Sequence, residues 1–596
     1  MNLIDRIKSD WIYVNGFRRI IGAIGKFDPD AEYTLADAIE EAIDDHEDRV
    51  FISFEGQDIS YAEFDARANQ FAHWGLSAGL KQGDCVALFM ENLPDYIAFW
   101  AGMAKITVKT ALINSNLTGA GLAHCINVAN ARAIVMNPEL AGQFESARSQ
   151  AQLDLGAFVL GGEAPGLARI DSALDVMPKT RPDRALRSGV KGAEIALYIY
   201  TSGTTGLPKA AKITHVRARG LMRVFVDATE AHRRDRILLT LPLYHATGGM
   251  CGVGTALNAG ACLILRRKFS ASQFWQEAID NDATMIVYIG ELGRYLMNQP
   301  PSALERSHRI TKGFGNGLRA DVWAEFVERT GIRRLVEFYG STEGNVNFFN
   351  LDGKIGAVGR IPRLLRNKIK GRIVRFDVET EEPVRGPDGL CIEADFDEAG
   401  EAIGQITSEP RQRFDGYNDE AQSKKKLLRD VFEKGDLWFR TGDLLKKDKD
   451  GYIYFVDRVG DTFRWKGENV STSEVEIALS SMPGITHAIV YGVTVPGHDG
   501  RAGMAAITPR DGIDFKQLHD HLAALLPVYA RPVFIRIKGE VETTGTLKYR
   551  KVDLVSAGFD PMNTTDPLFV VDHAQKTYVP ITQELHRAIV AGGVRL

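Results

Sequence analysis

The sequence predicts an α/β protein of two domains, a large N-terminal one with largely parallel sheets and a smaller C-terminal one. Three observations carry this. Over the first two-thirds of the 596 residues, short apolar runs alternate with helical patterns, as strands do when helices connect them in parallel. The chain is too long for one domain. Around Gly451 the pattern shifts to a shorter mixed segment. That shift sets a boundary at Arg458 and gives domains of 1–457 and 458–596.

Residues 50–54 and 86–90 are apolar enough for strands. Residues 61–80 place Phe64, Ala68, Phe71, Trp74 and Leu76 at helical spacing, and Ser60 with Glu63 offers a capping box. A further helix is expected over 94–106, and buried strands over 133–136, 195–200, 236–241, 261–265, 285–289 and 335–339. After the boundary come a strand from 452, a helix over 471–480, strands over 488–493 and 504–508, and a helix over 515–526. Binding sites in such sheets lie at the carboxyl ends of strands, which is where Thr201 and Gly340 fall.

Composition excludes several classes. With 72 Lys and Arg against 77 Asp and Glu, the net charge is −5, so no basic field favours nucleic acid. Cys85, Cys125, Cys251, Cys262 and Cys391 are widely spaced and form no CxxC pair, which argues against a zinc cluster or a disulfide framework. No secretory signal and no apolar run of about 20 residues is expected, so the expected location is the cytoplasm, or the inner face of the cell membrane. The second location rests on the N-terminus, where Arg6, Lys8, Arg18, Arg19 and Lys26 interleave with Ile7, Trp11, Ile12, Phe17 and Ile20. Such a segment either lies on an anionic membrane surface or packs on the body as an ordinary helix, and the second is favoured. Lys424, Lys425 and Lys426 read as a solvated helix face. Oligomeric state is not legible.

The strongest local signal is the run from Tyr198 to Lys209, where an apolar strand ends in Thr201, Ser202, Gly203, Thr204, Thr205 and Gly206. Small hydroxylic residues and glycines let successive N–H groups turn inward and make a nest for phosphate oxygens, to which Lys209 adds a charge. The spacing is not that of the GxxxxGK[ST] loop. A second strand ends in Tyr339, Gly340, Ser341, Thr342 and Glu343. Opposite a phosphate loop, the carboxylate suits Mg²⁺, which takes one or two carboxylates besides phosphate oxygens. Asp443, on a turn, can accept two hydrogen bonds from a ribose diol. Arg458, the glycine turn at Gly467 and the basic run from Thr543 to Lys551 complete the set, each by itself an ordinary surface feature.

In this order, these segments resemble the motifs of the acyl-adenylate-forming (AMP-binding) enzymes, which include acyl-CoA synthetases, luciferases and peptide-synthetase adenylation domains. The resemblance covers about 34–554. Residues 195–201, 343–347, 356–360 and 461–471 look like the very-long-chain acyl-CoA synthetase and fatty acid transport protein branch. It implies the adenylate-forming fold with a mobile C-terminal domain. It also implies a two-step reaction: a fatty acid carboxylate attacks the α-phosphate of ATP·Mg²⁺ to give acyl-AMP, and the thiol of coenzyme A then displaces AMP. Thr201 to Gly206 would hold the β- and γ-phosphates, Thr342 the α-phosphate and Glu343 the metal. Tyr339 would stack on adenine, with Gly315, Asn316 and Gly317 lining its other side. Asp443 and Arg458 would hold ribose, His245 would contact the acyl carboxylate, and Lys548 would bridge carboxylate and α-phosphate.

Two departures from the family pattern stand out. Thr546 and Leu547 separate Gly545 from Lys548, which leaves Lys551 as an alternative catalytic lysine. Gly460 stands where the family tends to place an Asp or Lys hinge residue, with Asp461 beside it. Glycine absorbs a large φ/ψ change, so a hinge survives. For the acyl chain, walls are expected from Met250, Cys251, Val253, Ile289, Phe314 and Phe348, with Gly248, Gly249, Gly252 and Gly254 keeping the path open. The resemblance leaves two further readings: a fatty acyl-AMP ligase loading a carrier protein, and an uptake protein that traps fatty acid as its thioester.

Overall fold

Strand-forming apolar runs meet capped helices as the alternation predicts. The computed structural model describes residues 3–201, 207–409, 412–498, 500–510, 512–539, 551–594 and 596. The chain divides into two compact units, 1–370 with 404–427, and 371–403 with 428–596.

The first unit holds two large sheets. One runs, from edge to edge, Asn347–Asn350, Arg334–Gly340, Lys312–Asn316, Met285–Ile289, Arg236–Leu239, Cys262–Leu265, Val50–Phe54 and Gln57–Ser60. It is parallel except at its two edge pairs. The other carries Cys85–Phe89 and Ala133–Met136 in its interior and ends in Ile195–Thr201 paired antiparallel to Lys209–Thr214. Both sheets are covered by helices, because the interior strands are buried and the chain must cross back between parallel neighbours. Helix Tyr61–Ser77 starts at the expected box, with the Ser60 hydroxyl accepting from the Glu63 N–H and the Glu63 carboxylate accepting from the Ser60 N–H. Helix Pro94–Lys105 is buried almost throughout.

The N-terminal segment is a 22-residue helix, Leu3–Ile24, packed on this unit. Tyr13 and Ile20 are buried. The Tyr13 hydroxyl donates to the Arg360 carbonyl at 2.7 Å, and Arg19 pairs with Glu230 at 2.7 Å. The opposite face keeps Trp11 70% and Ile7 59% exposed. The favoured reading, a helix packed on the body, accounts for one side of this helix and leaves the other to solvent. Among the described residues no helix is long and apolar enough to cross a membrane.

The second unit contains the hairpin Leu437–Lys447 with Tyr452–Arg458 and a five-stranded sheet. That sheet runs Ile485–Val493, Ala502–Pro509, Phe534–Ile537, Leu568–Asp572 and Thr577–Pro580. Its last three strands have no counterpart in the expectations from sequence. Helix Thr472–Ser480 is capped by Ser471.

Candidate active site

The first unit's motifs stand at the carboxyl ends of strands in its two large sheets. Strand Ile195–Thr201 pairs antiparallel with Lys209–Thr214, and Thr201 is in register with Lys209. Ser202, Gly203, Thr204, Thr205 and Gly206 lie outside the described residues. Lys209 has its pKa lowered, by burial first and then by Lys426 and Lys425. Lys424 and Lys425 are exposed, as expected of a solvated helix face, and the charge of the run reaches Lys209.

In the other large sheet, Tyr339 and Gly340 end Arg334–Gly340, and the chain continues through Ser341 and Thr342 to Glu343. Arg217, in the first turn of helix His215–Thr229, organises this turn. Its Nε donates to the Thr342 carbonyl at 2.8 Å, and its Nη2 donates to the carbonyls of Ser341 and Gly344. Ser341 Oγ is buried without a hydrogen-bond partner among the described residues, the mark of a group that faces a ligand. The Glu343 carboxylate is buried at 7% exposure, and its Oε1 accepts from the Tyr417 hydroxyl at 2.7 Å.

The Gly315–Asn316–Gly317 turn ends the parallel neighbour of that strand, Lys312–Asn316. Gly317 has φ +82°, which favours glycine, and a Cβ at Gly315 would sit 2.2 Å from the Tyr288 carbonyl. Glu337, fully buried, fixes this turn. It accepts from the Leu318 N–H at 2.9 Å and the Tyr288 hydroxyl at 2.8 Å. Burial pushes its carboxyl up to about 8, against those hydrogen bonds. Tyr339 stacks on Phe348 at 5.9 Å.

His245 precedes a π-helical turn, Ala246–Gly252, and Thr247 reaches Asn316 at 3.5 Å. Asn92 sets the approach to His245: its Nδ2 donates to the Leu241 carbonyl, and its Oδ1 accepts from the Leu243 N–H, both at 2.9 Å. The glycines here do not keep a path open. A Cβ at Gly248 would lie 2.5 Å from the Pro242 carbonyl oxygen, one at Gly249 1.9 Å from that of Leu243, and one at Gly254 2.2 Å from Met222 Cβ. They let the wide turn pack against main chain. Of the expected walls, Phe314 is stacked on Phe225 at 4.0 Å.

In the second unit, Asp443 and Arg458 face each other in register, with Nε to Oδ1 at 3.7 Å. Arg440 anchors the bend before Asp443 by pairing with the buried Glu401 at 2.9 Å. Gly460 has φ +92°, a conformation that suits glycine. Lys548 lies outside the described residues. Lys551 meets Asp461, Glu476 and Thr472 within 3.3 Å.

Arg217, Glu337 and Tyr417 were missed by sequence reasoning. A lone carboxylate between Val336 and Phe338, inside an apolar strand, was the one local signal for any of them.

Residues 39–395 match the family model "AMP-binding enzyme", and 474–548 match "AMP-binding enzyme C-terminal domain". The chain is 43% identical over 556 residues to long-chain fatty acid transport protein 2 of Rattus norvegicus, covering 92% of this chain and 89% of that protein. It is 41% identical over 548 residues to long-chain fatty acid transport protein 1 of Homo sapiens, covering 91% and 84%. Among solved structures, the anthranilate CoA ligase AuaEII in complex with anthranoyl-AMP superposes with a TM-score of 0.76 at 19% identity, covering 90% of this chain and 98% of that one. ATP-bound MatB from Rhodopseudomonas palustris gives 0.71 at 24% identity, covering 87% and 98%. These likenesses establish the adenylate-forming fold, and the chain belongs to the AMP-binding enzyme family, on the branch of the long-chain fatty acid transport proteins.

Proposed function

We propose that this protein is an AMP-forming fatty acid:CoA ligase acting on long or very long chains. The observation that carries the reading is the meeting of Thr201, Lys209 and Glu343 around Tyr417, a phosphate-loop strand end joined to a buried carboxylate. Mg²⁺ fits this site. Among the described residues no group of three or more His, Cys, Asp or Glu could hold a metal, so the ion would share one protein carboxylate with ATP phosphate oxygens, as Mg²⁺ does. Glu343 would hold it, and bound there it would neutralise charge on the phosphates.

The chain's own groups do the rest. Ser341 and the Thr342 turn, fixed by Arg217, meet the α-phosphate. Tyr339 and the Gly315–Gly317 turn hold adenine. Asp443 and Arg458 bind ribose, and His245 orients the fatty acid carboxylate. Lys548 stabilises the charge that builds between carboxylate and α-phosphate. Positioning and charge stabilisation are the whole of the catalysis, with no covalent enzyme intermediate. Gly460 and Asp461 form the hinge about which domains of 1–457 and 458–596 move between adenylation and thioester formation. A division by compactness describes one conformation, whereas the hinge concerns two.

The test is pure protein with ATP, Mg²⁺, coenzyme A and fatty acids of graded length. AMP and acyl-CoA are expected, with the highest kcat/KM at long chains. Acyl-AMP accumulating with coenzyme A present would point to a carrier-protein acceptor instead. No AMP at any length would overturn both.

The exposed face of helix Leu3–Ile24 favours one addition, peripheral association with the cytoplasmic face of a membrane. Trp11 and Ile7 would enter the interface beside Lys8 and Arg18. Uptake would then follow from trapping fatty acid as its thioester at that surface. Co-sedimentation with phosphatidylglycerol vesicles that Trp11→Ser abolishes would support this.

A further inference from the structure

The segment 415–418 appears in none of the motifs, yet it sits between them. It runs beside strand Lys209–Thr214: the Lys212 N–H donates to the Gly416 carbonyl at 3.1 Å, and the Asn418 N–H to the Ala210 carbonyl at 3.0 Å. Gly416, at φ +75°, makes the bend, and Ser423 Oγ accepts from the Tyr417 N–H at 2.9 Å. This delivers Tyr417, 3% exposed, to the phosphate side of the site.

Three groups converge on that side chain. Its hydroxyl donates to Glu343 Oε1 at 2.7 Å. Thr201 lies within side-chain hydrogen-bonding reach of the same phenol. Lys209 Nζ stands 5.6 Å from the ring centroid, within cation–π range. The phenol is thus the middle of a chain from Thr201 through Tyr417 to Glu343, and its ring supports the lysine that closes the loop.

We infer that Tyr417 is a positioning residue of the adenylation site. Its hydroxyl fixes the plane of the Glu343 carboxylate and directs a cation to the second oxygen, and its ring and Thr201 contact tie that carboxylate to both ends of the phosphate loop. The inference rests on the reading of Glu343 as the Mg²⁺ ligand. A carboxylate with one oxygen held by a protonated donor can swing less, so metal-bound phosphates meet a pre-set ligand.

The experiment compares wild type, Tyr417→Phe and Glu343→Gln. Calorimetry gives the affinity for α,β-methylene-ATP with Mg²⁺ and again with EDTA, and the ratio isolates what the metal contributes. Tyr417→Phe keeps the ring, and a thermal midpoint close to wild type shows that it folds. A charge-assisted hydrogen bond to a buried carboxylate corresponds to a change of about tenfold or more. The ratio is therefore expected to fall about tenfold in Tyr417→Phe and at least as far in Glu343→Gln. A merely structural tyrosine would weaken both affinities together and leave the ratio unchanged. If Glu343→Gln lowers the ratio and Tyr417→Phe does not, the role of Tyr417 is overturned and that of Glu343 stands. If neither lowers it, Glu343 is not the metal ligand and the inference falls with it.

Discussion

Lys551 Nζ lies 3.3 Å from Asp461 Oδ2, and the same ammonium reaches Glu476 Oε1 at 3.3 Å. Burial opposes its charge, but Glu476, Asp461 and Asp457 outweigh burial and hold the lysine above its ordinary pKa. A lysine held by two carboxylates beside the Gly460 turn is an anchor, and a catalytic lysine must be able to leave. Lys548→Ala is therefore expected to abolish adenylation, measured as ATP–pyrophosphate exchange. Lys551→Ala should retain exchange while losing about 1–3 kcal/mol of stability in urea, because it strands acidic partners. The opposite pattern would make Lys551 the catalytic lysine.

Glu337 gives the fold a pH dependence. Its carboxyl is pushed from 4.5 up to about 8 in the folded chain. Between those values the native state holds a proton that the unfolded chain has lost. Stability is therefore complete below about pH 4.5 for this group and falls as pH rises through 8, by roughly 4–5 kcal/mol in all. Glu337→Gln keeps the shape without the titration. Thermal midpoints from pH 5 to 9 should fall more steeply for wild type than for this variant. Parallel curves would show that Glu337 is ionised in the native state.

Arg217 holds the turn before Glu343 through main-chain carbonyls, so its loss should act on chemistry more than on fatty acid binding. Lysine cannot reproduce a forked contact to three acceptors. Arg217→Lys is expected to lower kcat for acyl-AMP formation about 10- to 100-fold, with KM for fatty acid unchanged. A raised fatty acid KM at constant kcat would place Arg217 in the acyl site instead.

Gly249 tests the close packing of the π-helical turn. A methyl group there meets the Leu243 carbonyl oxygen at 1.9 Å, and main chain cannot yield cheaply. Gly249→Ala should cost about 3 kcal/mol in denaturant unfolding, whereas a tunnel-lining glycine would tolerate the change and shorten the preferred chain.

Features written in consecutive residues were legible in the sequence. The apolar run into Thr201, the cap at Ser60 and Glu63, and the strand ending at Tyr339 all appear where their local chemistry puts them. The supports of the site were not legible, because they act across the chain. Tyr417 meets Glu343 over 74 residues, and Arg217 meets Thr342 over 125. Neither leaves a periodic trace, and Gly416-Tyr417 looks like any polar turn. The glycines at 248–254 misled for a related reason: a small residue is equally suited to an open channel and to contact with main chain, and only the neighbour decides. Strands Leu568–Asp572 and Thr577–Pro580 were missed because short pairs at the end of a sheet take their stability from the strand they join.

The π-helical turn also limits how this lineage can diverge. With carbonyls and Met222 filling the space beside Gly248, Gly249 and Gly254, that wall offers selection almost no neutral steps. The turn is thus a fixed boundary of the fold, closed to added side-chain volume at these positions.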